Sequence, residues 1–392
     1  MNEKSLNDLF RAYYSTRKNK RNTFNALKFE RNFESQLLAL FDEMINRTYE
    51  PRASIAFVVN NPVKREIFAA DFRDRVIHHF IYNYLAPIFE KVFIHDSYSC
   101  RKGKGVHYGV KRADHFIRSG SENYSQDAYI LKLDIKGYFM SINKQILFEK
   151  IDQVLSDQRR KINFDYSLVR YLVEKIIFNE PIKDCIIKGN NYDWNDLPKS
   201  KSLFGADSGC GLPIGNLTSQ LFGNVYLNDF DHFIKHKLKI KHYGRYVDDF
   251  IIVHRDKEYL KSLVPTLDRY LQQELCLNLH PKKIYLQPVA RGVKFLGVMI
   301  KPHRIYIANR IKGNFQAAID RQNEVVLAHG PTKEELDSFL SVMNSYLGMM
   351  VHYQTGNLRR KMVLQQLSDH WKSCVCFDQT YTILISNTGL RI

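Results

Sequence analysis

The stretch that decides the fold is Arg245-Tyr246-Val247-Asp248-Asp249-Phe250-Ile251-Ile252-Val253. Two adjacent aspartates stand between short runs of aromatic and β-branched residues, the types that suit a pleated strand. The pattern predicts a hairpin with both carboxylates at its tip. An ordinary polar turn is the plain alternative, but such turns usually carry Gly or Asn, and this one has neither. Two like charges held side by side repel unless a cation neutralises them.

A second carboxylate closes another apolar run, Tyr129-Ile130-Leu131-Lys132-Leu133-Asp134, and is followed by Ile135-Lys136-Gly137-Tyr138-Phe139. If the two strands are neighbours in one sheet, their carboxylates converge. Hard carboxylate oxygens that leave room for substrate phosphates suit Mg²⁺. Two such ions serve an in-line displacement at phosphorus.

Outward from these runs, the pattern is mixed. Residues 5–47 read as helical and include the basic run Arg17-Lys18-Asn19-Lys20-Arg21; Ile55–Val59 reads as a strand. Val76, Phe80, Tyr84 and Ile88 recur at helical spacing within a helix over 73–90. Further helices are expected to about residue 118, near 143–155 and 166–178, over about 216–239 and over 258–274. A loop rich in Asn, Asp, Pro and Ser spans about 181–210. Strands are expected near 284–287, 293–299 and 304–307, and from about Asn309 the pattern is helical to about Trp371.

The chain has 392 residues, with 58 Lys and Arg against 41 Asp and Glu for a net charge of +17. Such a charge points to a polyanion partner, because Lys and Arg displace the counterions condensed on phosphates. A hydrophobic content of 44% excludes disorder. The six cysteines form no C-x-x-C pair, which speaks against a disulfide framework or a zinc site. No apolar run approaches the roughly 18–20 residues of a membrane span. No apolar segment follows Met1-Asn2-Glu3-Lys4, so no signal peptide is predicted. The expectation is a cytoplasmic protein with no membrane partner.

Tyr246-Val247-Asp248-Asp249 resembles the Y-x-D-D box of reverse transcriptases, and Leu133-Asp134-Ile135-Lys136-Gly137-Tyr138-Phe139 resembles their first catalytic-aspartate block. The family's other blocks follow in order: Lys64-Arg65-Glu66-Ile67 through Phe72-Arg73-Asp74-Arg75-Val76, then Ser97-Tyr98-Ser99-Cys100-Arg101-Lys102-Gly103-Lys104-Gly105. His280-Pro281-Lys282-Lys283 and Gly292-Val293-Lys294-Phe295-Leu296-Gly297 resemble the last two palm blocks. The resemblance covers about residues 50–300. It implies an α+β right-hand polymerase: a helical N-terminal extension (1–50), fingers and palm with an antiparallel palm sheet packed on helices (51–307), and an all-helical thumb and C-terminal tail (308–392).

The variant block Gly211-Leu212-Pro213-Ile214-Gly215-Asn216-Leu217-Thr218-Ser219-Gln220 has Ile-Gly where most reverse transcriptases carry Gln-Gly, and ends in Ser-Gln where they end in Ser-Pro. It resembles reverse transcriptases of diversity-generating retroelements, among the group II intron-like bacterial enzymes. Residues 193–204 resemble that family's insertion. The resemblance implies an RNA-directed DNA polymerase that makes adenine-mutagenised cDNA from a template-repeat RNA. Two readings stand beside it: a reverse transcriptase of an anti-phage defence system, and a palm-fold protein that binds RNA without polymerising.

By resemblance, Asp134, Asp248 and Asp249 are catalytic, and with Ile135 they hold two Mg²⁺ ions, Mn²⁺ being the alternative. Lys64, Arg65, Lys136, Gly137, Tyr138, Phe139, Ile214, Gly215 and Lys283 are expected at the dNTP, with Phe139 as the gate against a 2′-hydroxyl. Lys282 rivals Lys283 at the leaving pyrophosphate. Arg101, Lys102, Lys104, Gln220 and Tyr246 are expected at template and primer. The implied partners are template RNA, the RNA–cDNA duplex, dNTPs and an oligomer of a small basic accessory protein.

Overall fold

The computed structural model describes residues 2–18, 23–60, 63–326 and 330–387. Part of the basic run, 19–21, lies outside them. The chain opens with α1 (Asn2–Arg17), α2 (Phe24–Glu30) and α3 (Phe33–Ile45). The hairpin β1 (Ser54–Val59) and β2 (Arg65–Ala69) follows, then α4 (Phe72–Val92). Asp71 caps α4 by accepting from the Arg73 amide at 3.0 Å, which satisfies one of the orphan donors of the first turn. The N-terminal helices are fastened to α4 by a buried polar knot. Asp74 accepts from the Tyr49 hydroxyl at 2.9 Å and the Arg52 amide at 2.7 Å, and Arg73 reaches both Asp74 and Glu43. Burial pushes the Asp74 carboxyl up to about 6.

Next come α5 (Val106–Gly120), β3 (Tyr129–Asp134), α6 (Tyr138–Ser141), α7 (Lys144–Asp157), α8 (Tyr166–Phe178) and β4 (Cys185–Ile187). β4 adds to β1 in parallel, making the sheet β2-β1-β4. Three short 3₁₀ turns, Asn191–Trp194, Lys199–Lys201 and Leu203–Gly205, fall in and around 193–204, the segment expected as an insertion. A single helix expected over 216–239 is instead α9 (Leu217–Tyr226), α10 (Asn228–His232) and a π-turn over Phe233–Lys237. The break falls at Leu227, whose ψ of 3° leaves the helical range.

β5 (His242–Tyr246) and β6 (Asp249–His254) form the predicted hairpin, followed by α11 (Lys257–Leu275) and β7 (Tyr285–Pro288). These strands and β3 make a four-stranded sheet in the order β5-β6-β3-β7. Phe250, Ile251, Ile252 and Val253 are all buried, as suits an inner strand covered on both faces. The chain ends with the antiparallel sheet β8 (Val293–Phe295), β9 (Val298–Lys301) and β10 (Arg304–Ile307), and with helices α12 (Asn309–Val325), α13 (Lys333–Met350), α14 (Gly356–Lys361) and α15 (Asp369–Cys374). The helical C-terminal expectation holds, with one addition: a hairpin of β11 (Val375–Phe377) and β12 (Leu384–Ser386). Trp371 stacks on Phe339 at 4.0 Å in that region's core, with Met343, Leu347 and Val363 around them.

The chain divides into two compact units. One comprises 1–105, 131–252 and 256–286; the other comprises 106–130, 253–255 and 287–392. No helix among the described residues is long and apolar enough to cross a membrane.

Candidate active site

The hairpin tip is a two-residue turn, Val247-Asp248. Val247 has φ of 56°, a costly conformation for a β-branched residue that persists only when its surroundings enforce it. The enforcing group is Arg245, fully buried in β5, which donates from Nη1 to the Val247 carbonyl at 2.9 Å. Its Nε and Nη2 form a fork on Asp231 at 2.7 and 2.6 Å, and both side chains are 0% exposed. Asp231 also accepts from the Tyr243 hydroxyl at 2.5 Å, and Arg245 reaches Ser97 Oγ at 3.3 Å.

The sheet brings the carboxylates together as expected. Asp134 ends β3, and the next amide, Ile135, donates to the Asp248 carbonyl at 3.2 Å. Asp248 is pushed up to about 6, first by burial and then by the charge of Asp134. Asp249 is raised by burial, against the pull of Lys132, whose Nζ lies 3.1 Å away. Lys283 Nζ sits on both oxygens of Asp134, at 2.9 and 2.8 Å. Burial lowers the Lys283 ammonium, but its bond to Asp134 and the charges of all three aspartates outweigh that and leave it raised. Lys282 is exposed, so the geometry separates the two lysines left open by the sequence.

The oxygen-rich donor set and the mutual repulsion of Asp134 and Asp248 fit divalent cations. Among the described residues, no three His, Cys, Asp or Glu side chains form a metal-holding group by themselves. That arrangement suits Mg²⁺, which binds through one or two carboxylates plus substrate phosphates instead of a closed protein cage.

Around the carboxylates, Gly137 takes φ of 57°, and a Cβ there would lie 2.8 Å from the Ser200 carbonyl. The Tyr138 hydroxyl donates to the Gly223 carbonyl. The half-buried Phe139 ring lies against Gly223, where an added Cβ would come within 3.2 Å of it. Phe139 and Ile214 both pack on the cluster of Ala56, Phe68, Met140 and Leu203. The Ile214 carbonyl accepts from the Phe68 amide at 2.8 Å, and Gly215, at φ 127°, leaves only 2.9 Å between an added Cβ and Ile67. Arg65 is exposed on β2 and close enough to lower the Tyr246 hydroxyl, which burial first raises. Lys136, Lys102 and Gln220 are exposed.

Three basic residues are spent on the fold. Arg101 is 5% exposed in its side chain, forks onto Glu90 and donates to the Ile94 and Ser97 carbonyls. Lys104 is tied to the His95 carbonyl, and Lys64 to the Asn195 carbonyl. Of the basic residues expected at the template, Lys102 is thus the one left facing solvent.

Sequence reasoning assigned no role to Arg245, Asp231, Lys132 or Glu66. Glu66, 2% exposed, accepts from Trp194 Nε1 and Ser202 Oγ at 2.6 Å and from the Leu203 amide at 2.5 Å. This clasp fastens the 191–205 segment to β2, beside Arg65. The need of this carboxylate for donors from elsewhere arises from its burial, which shows only in the folded chain.

The reverse transcriptase (RNA-dependent DNA polymerase) family model matches residues 64–300. Protein YkfC of Escherichia coli K12 is 23% identical over 296 residues, covering 67% of this chain and 70% of that protein. Among solved structures, telomerase from Candida albicans with a fragment of telomeric RNA aligns with a TM-score of 0.45 and 11% identity, covering 89% of this chain and 61% of its own. Apo telomerase from Candida tropicalis, truncated of its C-terminal domain, aligns with a TM-score of 0.45 and 12% identity, covering 68% of this chain and 59% of its own. The chain thus spans about six tenths of the length of these telomerase chains. The matched span runs from the strand bearing Arg65 through both carboxylate-bearing strands to β9, and on that ground the chain belongs to the reverse transcriptase (RNA-dependent DNA polymerase) family.

Proposed function

We propose that this protein copies an RNA template into DNA within a diversity-generating retroelement, with low fidelity opposite adenine. The observation that carries the polymerase reading is the meeting of Asp134, Asp248 and Asp249 at one end of the β5-β6-β3-β7 sheet, beneath Lys283. Asp134, Asp248, Asp249 and the Ile135 carbonyl would hold two Mg²⁺ ions, which when bound supply the charge that favours an attacking 3′-oxygen and a leaving pyrophosphate. Arg65 binds the triphosphate by its guanidinium fork. The main chain at Lys136, Gly137 and Tyr138 lies alongside it. In the step itself the primer 3′-hydroxyl gives up its proton to solvent, its oxygen bonds to the α-phosphorus, the bond from the α-phosphorus to the β-phosphate oxygen breaks, and Lys283 gives its proton to the departing pyrophosphate. Phe139 closes the space a 2′-hydroxyl needs, backed by Gly223. Lys102, Gln220 and Tyr246 face template and primer.

The retroelement reading rests on Gly211–Gln220 and on the position of Ile214. Its side chain joins an apolar cluster with the Phe139 ring, where a Gln would offer hydrogen bonds to template or dNTP. Residues 51–307 then serve as fingers and palm, 308–392 as thumb and tail, and 1–50 as an N-terminal extension. A cytoplasmic setting and a small basic accessory protein belong to the same reading. Sequencing of cDNA made on a defined RNA template tests it. Wild type is expected to err mainly at template adenines, and Ile214→Gln to lower that rate severalfold. Equal error rates for the two enzymes would remove Ile214 from the account, and uniform errors over all four bases would remove the retroelement reading.

A further inference from the structure

Lys235, Lys237, Lys239 and Lys241 alternate in sequence, a spacing that no regular helix gathers on one face. The structure gathers three of them. The π-turn over Phe233–Lys237 underwinds the chain, Leu238 donates to the Phe233 carbonyl at 3.0 Å, and Lys239 enters the left-handed region at φ 54°. Lys235, Lys239 and Lys241 then line one cavity of about 550 Å³ together with Lys91 at the end of α4, while Lys237 stays out of it. π-turns and left-handed non-glycine residues are both costly and concentrate at functional positions.

The cavity is built rather than incidental. Phe93, Ile94 and Ile240 form its buried floor. His232 bonds to the Val92 carbonyl at 2.8 Å and stacks on His236 at 5.2 Å. Lys235 Nζ donates to the Lys241 carbonyl at 2.8 Å. The walls are anchored in the network behind the hairpin tip: His232 follows Asp231, the partner of Arg245, and His95 precedes Asp96, whose carbonyl accepts from the Arg245 amide at 2.9 Å. Asp96 lies 3.8 Å from Lys235 and is shared with His95 and the Tyr98 hydroxyl.

We infer that this cavity is a second polyanion site, outside the polymerase centre, that takes phosphate groups of a structured RNA. Ammonium groups serve as point charges for phosphate oxygens, and the volume matches a nucleotide-sized group. The cavity's rings are the stacked pair His232 and His236, the exposed imidazole of His95 and a Phe93 buried in its floor. With four lysines lining it, the contacts it offers are chiefly to backbone phosphates, which carry no sequence information directly. The inference goes beyond the polymerase reading, since the cavity shares no residue with the dNTP or carboxylate groups. Free polyphosphate offers the same oxygens and is separated by a competition arm.

The test is binding of a fluorescent RNA hairpin to the full chain across a salt series, comparing wild type with the exposed-lysine variant Lys91→Gln/Lys239→Gln/Lys241→Gln. A second triple variant, Lys28→Gln/Lys312→Gln/Lys333→Gln, removes the same charge elsewhere. The pocket variant is expected to bind at least tenfold more weakly at 0.1 M salt, with a salt slope shallower by roughly 2–3, near 0.9 per lost phosphate contact. The control is expected to change affinity less than threefold. Equal weakening in both variants, or none in the pocket variant, overturns the inference. Tripolyphosphate that binds wild type and leaves the hairpin's affinity unchanged overturns the RNA part and assigns the cavity to free polyphosphate. If the pocket variant melts below wild type, photo-crosslinking of 4-thiouridine hairpin RNA to wild type decides instead: adducts within 91–95 or 232–241 support the site, and adducts only elsewhere overturn it.

Discussion

Removing the carboxylate of Asp231 is expected to do two separable things. Asp231 and Arg245 are both 0% exposed, and Asp231 accepts two guanidinium bonds and one from Tyr243. Asp231→Ala strands the Arg245 charge in the interior, which costs about 3–5 kcal/mol, and leaves the Tyr243 hydroxyl unpaired as well. It also frees the Arg245 side chain that holds the Val247 carbonyl, so the hairpin tip loses its template for a positive φ. Replacing both partners by apolar residues of similar size, Arg245→Met/Asp231→Leu, separates the effects. It removes the stranded charge, so part of the stability returns, but it supplies no donor to Val247. Urea unfolding reads the first effect, and single-turnover primer extension on folded protein reads the second. The expectation is that Asp231→Ala is destabilised by about 4 kcal/mol, and that the double variant recovers about half of that loss, the rest remaining because the buried Tyr243 hydroxyl and Val247 carbonyl still lack partners, yet extends primers at least tenfold more slowly. A double variant that is stable and polymerises at the wild-type rate would refute the claim that this pair positions Asp248.

Lys283→Gln keeps the reach to Asp134 but cannot donate the proton, and is expected to lower the rate of the chemical step by about a hundredfold. Substrate binding should change little, which pre-steady-state incorporation at saturating dNTP checks. His78 is fully buried between α4 and α9, with Nδ1 2.6 Å from Thr218 Oγ1, and burial holds its imidazole down to about 3. The unfolded chain takes up that proton near pH 6.5, so the stability this group contributes is whole above that pH and is lost as pH falls toward 3. At pH 5 the loss is about 2 kcal/mol. His78→Gln should therefore shrink the fall in unfolding free energy between pH 8 and pH 5 by about that amount, measured by urea titration at each pH.

The elements whose information is local were legible in the sequence. β5 and β6 follow from their β-branched runs, and α4 from its apolar spacing. What was not legible depends on contacts between distant segments. The helix expected over 216–239 is broken at Leu227, which lets Asp231 meet Arg245. Arg101 looked like a phosphate contact because arginine usually is exposed. Its guanidinium is consumed by Glu90 and by the carbonyls of 94 and 97. The choice between Lys282 and Lys283 needed the turn that leads into β7 to be folded before Nζ could be placed on Asp134. The Glu66 clasp joins residues more than 120 positions apart, and no local pattern announces such a pairing.

The central claim is that Asp134, Asp248 and Asp249 form one polymerising centre. Primer extension on an RNA template with Mg²⁺, comparing wild type with Asp248→Asn while template binding is followed by fluorescence anisotropy, tests it most directly. The account predicts dNTP incorporation by wild type, and loss of at least a thousandfold in the variant with RNA binding within twofold of wild type. Incorporation by Asp248→Asn at the wild-type rate, or none by wild type despite normal RNA binding, would contradict it.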